Sequence, residues 1–107
     1  MIQYKVVYAQ KAYQDLTSIY YYILINSLEP SIAGNLVKEI KQAIASLDIL
    51  PFRHELIENS RADLKDMRKL LVKSYVVLYR VNEVAKIVRV VRIFSSKRNY
   101  KNTLDIS

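Results

Sequence analysis

The last third of the chain has the pattern of consecutive β-strands. Residues 67–100 are rich in β-branched and aromatic side chains, which suit a pleated, half-buried surface. Two turn-like pairs, Lys73-Ser74 and Asn82-Glu83, divide this stretch. Because the connections are so short, neighbouring strands should be antiparallel. The predicted strands are Arg68–Val72, Tyr75–Val81 and about Lys86–Phe94.

The first half of the chain has a strand pattern followed by helical periodicity. Residues 2–8 alternate loosely between apolar and polar positions, which predicts a strand. Residues 9–26 then have apolar side chains at helical spacing. A second helix is predicted from Pro30, which suits a first helical turn, to a point before Pro51. Its apolar stripe consists of Ala33, Leu36, Val37, Ile40, Ile44 and Leu47.

This order of elements predicts an α+β fold. An N-terminal strand and a two-helix hairpin should pack on one face of a mostly antiparallel sheet, in the order β-α-α-β-β-β. The length suits one domain spanning residues 1–107. In the irregular polar segment 52–66, Leu56, Ile57 and Leu64 are candidates to anchor the segment to the core. We expect the second face of the sheet to be only partly covered and to leave room for a partner.

Strict alternation along the last predicted strand assigns its side chains to two faces. It predicts that Arg89, Val91 and Ile93 share one face. The opposite face should then hold Val88, Val90, Arg92 and Phe94.

Composition excludes several kinds of chemistry. The chain has no cysteine, one histidine and one glycine, so disulfides, thiolate chemistry and glycine-rich phosphate loops are not expected. We also expect no metal site and no cofactor. The sequence has no apolar run of about 18 residues, and its N-terminus lacks the pattern of a signal peptide. We therefore expect a cytoplasmic protein without membrane contact.

Charge is distributed unevenly along the chain. Residues 1–60 contain 5 Lys/Arg and 6 Asp/Glu, whereas residues 61–101 contain 12 Lys/Arg and only 3 Asp/Glu. Protection of sheet edges accounts for a few of these cations. The remaining excess predicts a polyanionic partner, either a nucleic acid or an acidic protein segment.

Cationic and aromatic side chains are concentrated near the end of the last predicted strand. Arginine forks bind phosphates bidentately, and tyrosines stack on bases. Arg68, at the start of its strand, could reach this group or pack its stem on a neighbouring tyrosine. His54 has no partner motif and is interpreted as structural. The candidate site residues are Arg68, Arg92, Lys97, Arg98 and Tyr100.

Several short motifs, in this order and spacing, resemble the RelE/ParE toxin superfamily of bacterial type II toxin–antitoxin systems. They are Tyr4–Tyr8, Asp15-Leu16, Arg68-Lys69-Leu70, Tyr79-Arg80-Val81, Val90–Phe94 and Lys97–Tyr100. The resemblance implies a helical hairpin on a mostly antiparallel sheet. It also implies a small toxin that is neutralised by a cognate antitoxin, which typically wraps an acidic or amphipathic segment around it.

The resemblance implies two alternative mechanisms. RelE-like members cut mRNA on the ribosome without a metal, and the five candidate residues would then be catalytic. ParE-like members inhibit DNA gyrase, and the same residues would then form a target-binding surface. Val76 stands where the RelE pattern commonly has an arginine, and Ser95 or Ser96 where it often has a histidine. These departures favour the ParE-like interpretation. A non-toxic basic domain that binds nucleic acid is a third possibility.

Overall fold

A computed structural model describes residues 1–58 and 61–97 of the chain. These residues form a four-stranded sheet and two α-helices, linked by short 3₁₀ turns. The elements are β1 (Lys5–Tyr8), α1 (Gln10–Ser27), α2 (Pro30–Ala45), β2 (Arg68–Val72), β3 (Tyr75–Asn82) and β4 (Ile87–Ser95). No helix in the described ranges is long and apolar enough to cross a membrane.

The strands lie in the order β1-β4-β3-β2. β2, β3 and β4 are antiparallel neighbours, as the short connections predict, whereas β1 pairs parallel to β4. The α+β fold class is therefore confirmed. β1 is shorter than the alternation at residues 2–8 predicts, because Gln3 makes only an isolated bridge to Ile49 before the ladder begins at Lys5.

Both helices contribute to a core on one face of the sheet. Pro30 occupies the first turn of α2, where its missing N–H costs no hydrogen bond. Fully buried Ile40 and Ile44 project from α2 against β-strand side chains, while Leu36 and Val37 are partly exposed. Leu47 lies just beyond α2, on a 3₁₀ turn. The strand residues of this cluster are Leu70, Val72, Tyr75, Val77, Tyr79, Val88, Val90 and Ile93.

The opposite face of the sheet is covered at one end by the segment that precedes β2. Ile57, Leu64 and Met67 from this segment form a second buried cluster with four sheet residues. Those sheet residues are Val76, Leu78, Val91 and Phe94. The prediction for Leu56 is wrong, because its side chain is exposed while its backbone bridges Arg68 at the sheet edge.

A β-bulge in β4 changes which residues share a face. Leu78 of β3 pairs with Arg92, but the next residue, Tyr79, pairs with Val90, so Val91 is the extra residue. The prediction that Arg89, Val91 and Ile93 share one face is therefore wrong. Ile93 packs in the helix-side cluster and Val91 packs in the cluster on the other face.

Candidate functional site

Arg92, a candidate site residue, is held by a carboxylate from the first helix. Its Nε–H donates to Asp15 Oδ2 at 2.8 Å, and its Nη2 donates to Asp15 Oδ1 at 3.1 Å. Both side chains are mostly buried, with exposed fractions of 16% for Arg92 and 15% for Asp15. The Arg92 guanidinium also lies 4.6 Å from the centre of the Phe94 ring. Such a fork-to-carboxylate pair fixes both side chains in one geometry.

The local strand pairing explains why Asp15 is needed at this position. β1 ends at Tyr8, opposite Val90, so the remainder of β4 has no strand neighbour on that side. Asp15 Oδ2 accepts a hydrogen bond from the unpaired Ile93 N–H at 2.8 Å. One carboxylate therefore satisfies both an edge N–H group and an arginine. Asp15 is not among the site residues predicted from the sequence, although it lies beside the apolar stripe of α1 and in the Asp15-Leu16 motif of the family resemblance.

Arg68 is held at a different part of the sheet. It pairs in register with Tyr79, and its guanidinium turns toward the segment after α2. Arg68 Nη1 donates to the main-chain oxygens of His54 at 2.6 Å and Phe52 at 3.2 Å, and its guanidinium carbon lies 5.1 Å from the centre of the Phe52 ring. Among the described residues the Arg68 guanidinium is thus held by main-chain oxygens and the Phe52 ring, and the tail beyond Lys97 lies outside these residues.

Tyr79 and His54 lie beside Arg68, and the Tyr79 hydroxyl is not available as a proton acceptor for a substrate hydroxyl. Tyr79 Oη donates to Pro51 O at 2.7 Å, and burial raises the pKa of Tyr79 while Arg68 and Arg53 partly offset that rise. Burial, followed by the charge of Arg53, lowers the pKa of His54 below 6.5. The Nε2 atom of His54 is buried and has no hydrogen-bond partner among the described residues.

The structure does not bring the described candidate residues into one cluster. Arg68 is in register with Tyr79 of the helix-side core, whereas Arg92 is in register with Leu78 of the cluster on the other face. Lys97 is exposed and follows Ser96, whose N–H donates to Ser74 O at the turn between β2 and β3. Arg98 and Tyr100 lie outside the described residues.

Val76, which stands where the RelE pattern commonly has an arginine, is part of the second buried cluster. Its side chain is 3% exposed, and it pairs in register with Phe94. This position therefore offers no polar group to a substrate. Residues 1–58 and 61–97 also contain no group of three or more His, Asp or Glu side chains suited to hold a metal ion.

Comparison with family models gives one match over most of the chain. The family described as "ParE toxin of type II toxin-antitoxin system, parDE" matches residues 6–100. The chain belongs to this ParE toxin family. It is therefore a type II toxin of the RelE/ParE superfamily, as the sequence motifs predict. No curated protein matches the sequence significantly.

Solved structures of toxin–antitoxin proteins have the same fold as this ParE family member. The chromosomal ParDE system of P. aeruginosa contains a chain with a TM-score of 0.72 and 18% identity, covering 89% of this chain and 98% of that one. A chain of the RelBE2 toxin–antitoxin complex of Mycobacterium tuberculosis has a TM-score of 0.59 and 21% identity, covering 89% of this chain and 93% of that one. A mutant of the E. coli toxin RelE in the free state has a TM-score of 0.61 and 14% identity, covering 94% of this chain and 92% of that one. At these identities the likeness shows the fold alone.

Proposed function

We propose that this toxin inhibits growth by binding DNA gyrase, in the ParE-like manner, and that a cognate antitoxin neutralises it in the cytoplasm. The observation that carries the proposal is the ion pair between Arg92 and Asp15. An arginine that must stabilise a developing phosphorane charge needs N–H groups aimed at the substrate. Here the Nε and Nη2 groups of Arg92 already donate to a carboxylate within the chain.

The surroundings of Arg68 support the same proposal. Its Nη1 group donates to two main-chain oxygens, and its guanidinium lies against Phe52. A ribonuclease would also need a group that removes the proton of the ribose 2′-hydroxyl. The hydroxyl of Tyr79 donates to Pro51 and stays protonated at neutral pH, since its pKa is raised. Lys97, Arg98 and Tyr100 are accordingly proposed as part of a target-binding surface rather than a catalytic site.

The antitoxin part of the proposal rests on charge and on the family. Residues 61–101 carry 12 cationic and 3 acidic side chains, which favours an acidic or amphipathic partner segment. The P. aeruginosa relative comes from a ParDE toxin–antitoxin system, and the M. tuberculosis relative was solved as a toxin–antitoxin complex. A disordered antitoxin segment that folds on binding can cover a large surface of this kind.

A RelE-like ribonuclease activity is the alternative, supported by the fold shared with RelE and RelBE2. Two purified assays separate the possibilities. In the first, the toxin is added to gyrase and relaxed plasmid, and supercoiling is followed on a gel. In the second, the toxin is added to a reconstituted translation system, and mRNA ends are mapped. The proposal predicts lost supercoiling with intact mRNA. Cleavage of ribosome-bound mRNA with normal supercoiling would contradict it.

A matched variant makes both assays sharper. Lys97→Gln removes one exposed charge from the proposed target-binding surface, and Lys38→Gln removes one exposed charge from α2. If the end of β4 contacts gyrase, Lys97→Gln should weaken inhibition of supercoiling and Lys38→Gln should not. Equal effects of the two variants on supercoiling would mean that Lys97 is not part of that surface. Strong salt-dependent binding to naked nucleic acid without either activity would instead indicate a non-toxic nucleic-acid-binding domain.

A further inference from the structure

Two arginines face each other across the hairpin of β3 and β4. Arg80 and Arg89 are partners in register, on the face of the sheet that points away from the helices. Like charges directly opposite each other on neighbouring strands are destabilising. The segment before β2 covers Val76 and Leu78 of this face, but the Arg89 side chain is exposed. This end of the sheet is therefore an open surface with concentrated positive charge.

No carboxylate of the described residues forms an ion pair with either arginine. Arg80 donates from Nε and Nη2 to the main-chain oxygens of Lys65 and Asp63, so its partners are uncharged and use only two of its five N–H groups. Arg89 has no hydrogen bond or ion pair within the described ranges. The main-chain contacts hold the Arg80 guanidinium in place, whereas the Arg89 guanidinium is free to turn toward a ligand.

The surroundings of the pair define a site with further positive charge. Arg80 and Arg89 line a shallow pocket of about 540 Å³. The rest of its lining is Val81, Asn82, Glu83 and Ile87. Lys5 of β1 is exposed, and Val7 of the same strand pairs with Arg89. Because side chains alternate along a strand, Lys5, two residues before Val7, lies on the same face of the sheet as Arg89. Three neighbouring strands therefore each contribute one cation.

We propose that the Arg80–Arg89 pair binds an acidic peptide segment of a partner protein, with a carboxylate between the two guanidinium groups. Charge complementarity supports this occupant, because a carboxylate removes the repulsion between the arginines and accepts fork-like hydrogen bonds. Val81 and Ile87 offer apolar contacts for neighbouring side chains of the peptide. Arg80 acts as the fixed half of the site, and Arg89 as the half that closes on the ligand.

A peptide fits this pocket better than a nucleic acid strand does. Proteins that bind single strands combine cations with aromatic rings on which bases stack. The lining residues include no aromatic side chain on which a base could stack, whereas Val81 and Ile87 offer apolar contacts to a peptide. This inference does not depend on whether gyrase or the ribosome is the target.

The test uses the purified chain and a labelled twelve-residue peptide of Glu, Asp and Leu, followed by fluorescence anisotropy at low salt. The controls are the Gln/Asn/Leu version of the peptide and a single-stranded RNA of equal length. We expect the acidic peptide to bind, and Arg89→Gln to weaken binding by about tenfold or more. The peptide affinity of Arg89→Lys should lie between those of the unchanged chain and Arg89→Gln, because lysine keeps the charge but loses the forked hydrogen-bond geometry of the guanidinium. Lys38→Gln should change affinity by less than about twofold.

Three results would overturn the proposal. They are no binding of the acidic peptide, equal losses in Arg89→Gln and Lys38→Gln, or tighter binding of RNA that depends on Arg89. Arg89 is exposed and has no ion pair with any residue that the structure describes, so its replacement should leave the fold intact, which a urea unfolding curve checks. Neither gyrase nor ribosomes enter this experiment. A failure here is therefore separate from a failure of the proposed toxin mechanism.

Discussion

The Arg92 guanidinium and the Asp15 carboxylate join the last strand to the first helix through two hydrogen bonds of 2.8 and 3.1 Å. The partners are 77 residues apart in the chain, and the same carboxylate also accepts the Ile93 N–H. An arginine that the sequence presents as a candidate for phosphate chemistry is thus held in a structural contact. Its charge compensates an internal carboxylate before any ligand is present.

Asp15→Asn tests the strength of this contact. The substitution keeps the shape of the side chain but removes the carboxylate charge that Asp15 places against the mostly buried Arg92 guanidinium. We expect the free energy of unfolding to fall by about 2–4 kcal/mol, between the value of a charged hydrogen bond and that of a fully buried ion pair. Urea unfolding followed by circular dichroism measures the loss.

The control for Asp15→Asn is Glu39→Gln. Glu39 pairs with Lys73 at 3.4 Å, with exposed fractions of 47% and 62%, so solvent screens the pair. Its loss should cost no more than about 1 kcal/mol. If Asp15→Asn costs no more than Glu39→Gln, the Arg92–Asp15 pair does not stabilise the fold, and Arg92 would again be available for function.

Tyr79→Phe tests the contact between β3 and the segment after α2. The substitution removes the hydroxyl that donates to Pro51 O at 2.7 Å and leaves a buried carbonyl oxygen without this donor. We expect a loss of about 1–3 kcal/mol in the free energy of unfolding. Tyr21→Phe, on the exposed surface of α1, should stay within about 0.5 kcal/mol. Equal effects of the two variants would mean that the Tyr79 hydroxyl contributes nothing to stability.

Two substitutions in the apolar stripe of α2 should lower the free energy of unfolding by different amounts. Ile40 is completely buried between the helix and the sheet, so Ile40→Ala should destabilise by about 2–5 kcal/mol through lost contacts and a cavity. Leu36 is partly exposed, so Leu36→Ala should cost less. Chemical unfolding of both variants measures the difference. A larger loss for Leu36→Ala would contradict the packing of this helix.

His54 should make stability depend on pH near neutrality. Its pKa in the folded chain lies below 6.5, so at intermediate pH the unfolded chain binds more protons than the folded chain. Stability is therefore complete above pH 6.5 and falls as the pH drops through the folded pKa. His54 is the only histidine, so the difference in urea midpoint between pH 7.5 and pH 6 should shrink in His54→Gln. An unchanged difference would assign the effect to other groups.

The sequence pattern predicts most of the fold because periodicity and turn signals are local. The predicted strand Arg68–Val72 matches β2. The predicted strand Tyr75–Val81 ends one residue before β3 does, and the predicted strand 86–94 is offset from β4 by one residue at each end. The bulge at Val91 could not be predicted, because Val90 and Val91 are both apolar and a change of face leaves no trace in such a pair. The parallel pairing of β1 with β4 joins distant parts of the chain and has no local signal either.

The candidate site was harder to predict because residue type does not reveal what a charged side chain contacts. Arg92 and Arg68 look alike in the sequence, yet one is paired with a helix carboxylate and the other with main-chain oxygens. Arg80 pairs with Arg89 on the hairpin side of the bulge. Counting residue pairs from the other end of β4 without the bulge would give Arg80 the wrong partner. The family resemblance, which rests on motif order rather than contacts, is confirmed by the ParE family match.

The measurement that tests the proposed mechanism most directly is induced expression of the toxin in a bacterial host. Plasmid supercoiling and mRNA integrity are followed together over the first minutes after induction. If the toxin binds gyrase, supercoiling should be lost or DNA damage should appear while mRNA stays intact. Rapid cleavage of mRNA at codon boundaries, with supercoiling unchanged, would contradict this mechanism and make the chain a ribonuclease.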